Sequence, residues 1–308
     1  MKVAIIGAGN MGGAIARGLA HGHQVNTEDI FVSNPGTEKL ERLKAEYPGI
    51  HTTQSNKEAA ADADIVIIAV KPWKVEEVLK PLRLRQPQIL VSVAAGLTFE
   101  DLAHFVDPEM TIFRIIPNTA ISERASMTLV AARNASEAQV SSIMNLFNEM
   151  GRSMLIEEKL FAAATSLTSC GIAYVLKYVQ AAMQAGVEMG IKPQDAMKML
   201  AQTLEGAAQL LLSNEQTHPA LEIEKVTTPG GITIKGVNEL EMAGFSALSG
   251  HSRPVYKYGS AESFLGPLHA APAFDEDERT DVLIKQEGTP HADQSPSPVN
   301  AEQITETD

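Results

Sequence analysis

Along the first 156 residues, short apolar runs alternate with segments whose apolar positions recur every three or four residues. KVAIIG predicts a strand, and NMGGAIARGLA a small-residue helix behind it. IFVSN predicts the next strand, and TEKLERLKAEY a helix with its charges on one face. ADIVIIAV is apolar throughout, the pattern of a parallel strand covered on both sides. The series continues with a helix at WKVEEVLKPL, a strand at QILVSVAA, a helix at TFEDLAHF and a strand at MTIFRII. SMTLVAAR, the helix EAQVSSIMNLFNEM and SMLIEE extend it. Strands and helices alternating at this spacing predict a doubly wound α/β domain over residues 1–157.

From residue 158 the period changes. LFAAATSLTSCGIAYVLKYVQAAMQAGVEMG predicts a long alanine-rich helix with Gly190 near its end. Pro193 then sits in the first turn of a second helix, PQDAMKMLAQTLEGAAQLLLS. HPALEIEKVTTPGG reads as irregular, and ITIKGVNELEMAGFSALSG as a last helix. Residues 158–250 therefore predict an all-helical domain. Several of these helices are apolar nearly all round and must be buried on more than one side. That predicts a homodimer, or a higher oligomer built on it, interlocked through this domain. Residues 251–308 are rich in proline, acid, serine and threonine, and read as a disordered tail outside the fold.

Composition narrows the classes. The chain has 308 residues, 44% of them hydrophobic and 20% charged, enough to bury the cores of one large domain or two modest ones. The longest apolar runs, IVIIAV and LVSVAAG, are strand-length, so no segment is expected to span a bilayer. The N-terminal apolar run is broken by glycines and Asn10 without a cleavage region, and a cytoplasmic protein is expected. The net charge of −13 argues against a nucleic-acid partner. Residues 251–308 hold four basic against eleven acidic residues, a balance of −7, which leaves an ordinary −6 for the rest. Cys170 is the one cysteine, so no intrachain disulfide forms, and its apolar surroundings suit packing. The eight histidines show no HxxxH spacing, and no metal site is expected.

The candidate chemistry begins at Gly7-Ala8-Gly9-Asn10-Met11-Gly12, a GxGxxG that follows a strand and opens a helix. Gly7 permits the tight turn, Gly9 lets backbone approach a pyrophosphate, and Gly12 lets helix and strand pack closely. The helix start offers free N–H groups to phosphates. After the second strand stands Ser33-Asn34-Pro35-Gly36-Thr37, where an NAD enzyme would place a carboxylate for the ribose 2′-hydroxyl. The missing carboxylate favours NADP over NAD, with Lys39 the nearest cation. Ala69-Val70-Lys71-Pro72, Ala94-Ala95-Gly96 and Pro117-Asn118-Thr119 end three further strands, at the edge where open α/β sheets bind ligands. A second glycine pair lies in VTTPGGITIKG, residues 226–236, at the start of the last predicted helix.

Taken in order, IGAGNMGGAI, AVKPW, SVAAGLT, RIIPNTA, CGIAYV, AGVEMGI, AQTLEGAAQLL and TTPGGITI resemble the 1-pyrroline-5-carboxylate reductase family over residues 1 to about 250. The resemblance implies a Rossmann-like N-terminal domain, a helical dimerisation domain, and NAD(P)H-dependent reduction of a cyclic imine to L-proline. It implies that Thr233 lies near the ring nitrogen, with Thr228, Gly230 and Gly231 around the substrate carboxylate and Asn118 on the substrate side. It also places Asn56 near the nucleotide. Four positions depart from the family pattern: Ala120 and Ile172 replace prolines, and Gln180 and Gln184 stand where acidic residues are common. Two other readings remain. A β-hydroxyacid type of dehydrogenase would need a helix lysine, for which Lys177 is the candidate. A non-enzymatic NADP(H) sensor would keep the fold alone.

Overall fold

The computed structural model describes residues 1–214 and 216–246, and the predicted tail at 251–308 lies outside them. The strands are β1 (Val3–Ile6), β2 (Ile30–Ser33), β3 (His51–Thr53), β4 (Ile65–Ile68), β5 (Ile89–Ser92), β6 (Thr111–Ile116), β7 (Ser126–Arg133) and β8 (Gly151–Leu155). Between them run α1 (Asn10–His21), α2 (Thr37–Glu46), α3 (Asn56–Ala60), α4 (Val75–Leu82), α5 (Phe99–Ala103) and α6 (Glu137–Asn148). The strands make one sheet in the order β3-β2-β1-β4-β5-β6-β7-β8. The first six are parallel and doubly wound, as the alternation predicts.

The last two strands differ. β7 runs antiparallel to β6, and β8 parallel to β7. The short β3–α3 pair was also not read from sequence. HTT is only three residues long, and α3 is held by a serine cap, Ser55 accepting from the Glu58 N–H, more than by apolar period.

The apolar strands are explained by their surroundings. Val3 and Ile5 join a core on one side of the sheet with Ile15 and Leu19 of α1. Ala4 and Ile6 join a second core on the other side with Leu79 of α4 and Leu102 of α5. With both sides covered, β1, β4 and β5 carry no exposed position. Their ends are level, Ile6 pairing with Ile68 and Ile68 with Ser92, so three carboxyl termini share one edge.

A charged knot joins the sheet to the helical segment that begins near residue 158. Arg114 of β6 is buried and donates to Glu158 Oε1 at 2.5 Å, while the Phe99 N–H donates to the same oxygen at 2.7 Å. The guanidinium lies 4.8 Å from the Phe161 ring centroid. A buried cation needs such partners, because desolvation is otherwise uncompensated. Arg114→Met should therefore lower unfolding stability by about 2 kcal/mol, less than for a fully enclosed pair because Glu158 is partly exposed. An unchanged melting temperature would show that the knot contributes nothing.

From Phe161 onward the described residues are helical. α7 (Phe161–Thr165) runs through a π-helical turn (Ser166–Cys170) into α8 (Gly171–Glu188), followed by α9 (Pro193–Leu212), α10 (Pro219–Val226) and α11 (Ile232–Met242). Two expectations are corrected here. The segment read as irregular contains α10, started by Pro219 and by His218, whose Nδ1 accepts from the Ala220 N–H at 3.2 Å. The continuous helix Glu158–Glu188 has 31 residues and an 18-residue stretch of mean hydropathy 1.3, so by length and composition it can cross a bilayer. Its alanines and glycines raise the mean hydropathy without forming an unbroken run of large apolar residues.

These helices bury little within the chain. Val179 and Gly186 are the buried residues of α8 and Ala196 that of α9, and α10 and α11 have none. Leu176, Met189 and Met199 are exposed, and Ile232 is 90% exposed. A lone chain with this surface is incomplete.

Candidate functional site

The three level strand ends open into a cleft of about 680 Å³. Its floor is the β1–α1 turn. Gly7 has φ +105°, and a Cβ there would lie 2.8 Å from the Ala69 carbonyl oxygen. A Cβ at Gly12 would overlap the Gly7 carbonyl oxygen and approach the Ala69 Cβ to 2.9 Å. Both glycines therefore serve close packing of α1 on β1 and β4. Gly9 differs: a Cβ there would meet nothing within 4 Å. Its bare backbone opens toward the cleft, which suits close approach of a phosphate. Gly9 also begins α1 with no capping side chain and no acid in the first turn, so the helix-start N–H groups are left to a ligand.

Most of the predicted nucleotide residues come together. Gly7, Gly9, Asn10, Met11, Asn34, Asn56, Ala69, Val70, Lys71, Pro72, Ala94 and Ala95 line this one cleft. Ser33, Gly12 and Gly96 are not among the lining residues. Ser33 is buried, and its hydroxyl donates to Asn56 Oδ1 at 2.8 Å, so it holds Asn56 in place. Gly96, with φ +85°, turns the chain away after Ala95. Asn34 Oδ1 accepts from the Ala8 N–H at 3.2 Å, tying the loop after β2 to the glycine turn. Lys74, Glu77 and Val78 also line the cleft and were not singled out in the sequence. They follow from the short 3-10 turn Pro72–Lys74, which brings the first turn of α4 to the same edge.

The predicted substrate residues lie elsewhere. Asn118 is buried, its Oδ1 accepting from the Ala120 N–H at 3.0 Å and its Nδ2 donating to the Thr168 carbonyl at 3.4 Å. It pins the end of β6 to the π-helical turn, helped by Ser169 Oγ donating to the Pro117 carbonyl at 3.3 Å. Proline at position 120, the commoner residue in the resembled family, would lack the N–H that Asn118 caps. Thr228, Gly230 and Thr233 are exposed, and Gly231 is intermediate. None of the four lines the nucleotide cleft. The loop is nonetheless shaped like the other glycine site. Gly231 starts α11 with no capping side chain and no acid in the first turn. Gly230 has φ +73°, and the Gly231 N–H donates to the Thr228 carbonyl at 3.0 Å.

A doubly wound sheet with this cleft, followed by helices that leave their apolar faces bare, defines a dinucleotide-dependent oxidoreductase with an added self-association domain. Comparison with known proteins gives the family. Residues 158–252 match the model for pyrroline-5-carboxylate reductase dimerisation, and residues 2–96 that for NADP oxidoreductase, coenzyme F420-dependent. Pyrroline-5-carboxylate reductase of Escherichia coli (strain K12) is 33% identical over 249 residues, covering 80% of this chain and 92% of that one. Pyrroline-5-carboxylate reductase 1 of Dictyostelium discoideum is 38% identical over 259 residues, and the match spans 80% of this chain but only 46% of that longer relative. Among solved structures, Plasmodium falciparum pyrroline carboxylate reductase with NADP bound superposes with a TM-score of 0.76 at 25% identity, over 85% of this chain and 98% of the other. The chain belongs to the pyrroline-5-carboxylate reductase family. The long apolar helix falls inside the matched dimerisation segment.

Proposed function

We infer that this protein reduces 1-pyrroline-5-carboxylate to L-proline with NAD(P)H, the last step of proline biosynthesis. The observation that carries this reading is the combination of a nucleotide cleft with a helical segment matched as that family's dimerisation domain. The cleft fits the cofactor's demands: an open Gly9, an uncapped helix start and no carboxylate at the end of β2. The missing carboxylate supports NADPH over NADH. Bound there, the reduced nicotinamide supplies the hydride.

The residues present need do little acid–base work. The titratable residues lining the cleft are Lys39, Lys71, Lys74 and Glu77, with no histidine or aspartate among them. An imine, once protonated, is already electrophilic, whereas a ketone becoming an alkoxide needs a proton donor. Positioning then dominates, and it supplies roughly 7–11 kcal/mol in favourable systems. Thr233 would hydrogen-bond the ring nitrogen and set its orientation. The uncapped N–H groups at the start of α11, after Gly231, would hold the carboxylate, with Thr228 and Gly230 shaping the turn. Because this loop is exposed and outside the protomer's own cleft, a complete site takes the cleft of one subunit and the loop of another. Lys177, the residue a β-hydroxyacid mechanism would need, is exposed, donates to Gln180 Oε1 at 2.9 Å and is not among the residues lining the cleft.

The test is NADPH oxidation followed at its absorbance band with racemic pyrroline-5-carboxylate. Wild type should turn over, and Thr233→Ala should lose roughly tenfold in kcat/KM, the scale of one hydrogen bond to a charged group. Turnover of a hydroxy or keto acid with none of the imine would overturn the assignment. Tight NADP+ binding without any turnover would indicate a sensor.

A further inference from the structure

Glu158 is the first residue of the long continuous helix and of the segment matched to dimerisation. Its carboxylate reaches back to one wall of the nucleotide cleft. That wall is the chain after β5, where Val93, Ala94 and Ala95 line the cleft before Gly96 turns the backbone toward α5. With the pyrophosphate at the β1 turn and the adenine ribose at the loop after β2, the nicotinamide falls on the β5 side. We propose that Glu158 and Arg114 are positioning residues for hydride transfer. Together they fix the β5 wall, and the nicotinamide against it, relative to the helical segment whose partner copy brings the substrate loop. This rests on the reading of the protein as an imine reductase.

One oxygen, Glu158 Oε1, accepts from both the Phe99 N–H and Arg114 Nη1, so a single carboxylate joins the first residue of α5 to β6. Arg114 stands in register with Ser92, the last residue of β5, and Ser92 Oγ accepts from the Ala94 N–H at 3.4 Å. The wall is therefore tied at two points, at Ala94 through the sheet and at Phe99 through the carboxylate. Phe161, one turn into the same helix, shares a buried core with Ala94, Leu97 and Phe99. The Arg114 guanidinium lies 5.9 Å from the Phe99 ring centroid and 4.8 Å from that of Phe161, within cation–π reach of both. Arg114, Glu158 and Phe99 do not line the cleft, so their effect runs through the loop they hold. Without the carboxylate the loop keeps only its tie at Ala94. A displacement of about 1 Å between nicotinamide and imine is enough to cost roughly a hundredfold in rate. The phosphate contacts, at the start of α1, are untouched by it.

The experiment compares full-length wild type, Glu158→Gln, Glu158→Ala and the double variant Arg114→Met/Glu158→Ala. For each, kcat, the imine KM, NADP+ affinity, melting temperature and sedimentation velocity are measured. Glu158→Ala should lose about tenfold or more in kcat, with the imine KM and the NADP+ Kd within about twofold of wild type and the dimer intact. Glu158→Gln keeps an oxygen for both donors and should hold kcat within about threefold of wild type. The double variant removes the uncompensated buried charge, so it should melt nearer wild type than Glu158→Ala while its kcat stays low. Read against wild type and Glu158→Gln, it also decides the case where Glu158→Ala does not fold. An unchanged kcat in Glu158→Ala, or a kcat that recovers together with melting in the double variant, overturns the proposal while imine reduction stands. So does loss of the dimer or of NADP+ affinity in step with kcat. Failure of wild type to turn over the imine overturns both.

Discussion

Gly12→Val is expected to remove measurable NADP+ binding and to lower unfolding stability by about 3 kcal/mol, the upper range for overpacking a tight interior. Any side chain at residue 12 enters the space of the Gly7 carbonyl, and α1 must then lift off β1 and β4. The helix start moves with it, so the phosphate-facing N–H groups lose their aim. Gly9→Ala separates packing from binding. Its Cβ meets nothing within 4 Å among the described residues, so melting should be unchanged while NADP+ affinity falls. Thermal denaturation and calorimetric titration of both variants make the comparison. A stable, cofactor-binding Gly12→Val would mean that the glycine turn is not the nucleotide floor.

Leu176→Asp is expected to give a monomer in sedimentation velocity, and with it the loss of imine reduction by about a hundredfold or more, the penalty of a misplaced substrate loop. Leu176 is 59% exposed on α8 in the isolated chain, within the segment matched to dimerisation. A carboxylate there would have to be desolvated on association. NADP+ binding should survive, since every lining residue of the cleft belongs to residues 6–95 of one chain. A fully active monomer would overturn the shared site.

The sheet and its nucleotide edge were legible because burial on both sides leaves uninterrupted apolar strands, and a glycine turn leaves a spaced signature. β7 was not legible as antiparallel, since SMTLVAAR has the same alternation in either direction and only the partner decides it. α10 was hidden because its start depends on a histidine cap and a proline, and its short apolar pattern is not buried among the described residues. Ser33 and Asn118 illustrate a different limit. Sequence marks them as polar residues at strand ends, but whether such a side chain faces a ligand or a neighbour depends on packing several residues away. Both turn inward, Ser33 to Asn56 and Asn118 to the π-helical turn.

That turn, Ser166–Cys170, divides one continuous helix into two tasks. Upstream, Phe161 is buried in the core beneath the sheet; downstream, Tyr174 and Leu176 stand exposed. A π turn amounts to one residue inserted into an α-helix, which advances its phase by about 100°. The inserted residue thus acts as a gear tooth, letting a single rigid rod present one stripe to its own sheet and another to a second subunit. Removing any one residue from 166–170 would leave a perfectly good helix with its dimer stripe pointing the wrong way.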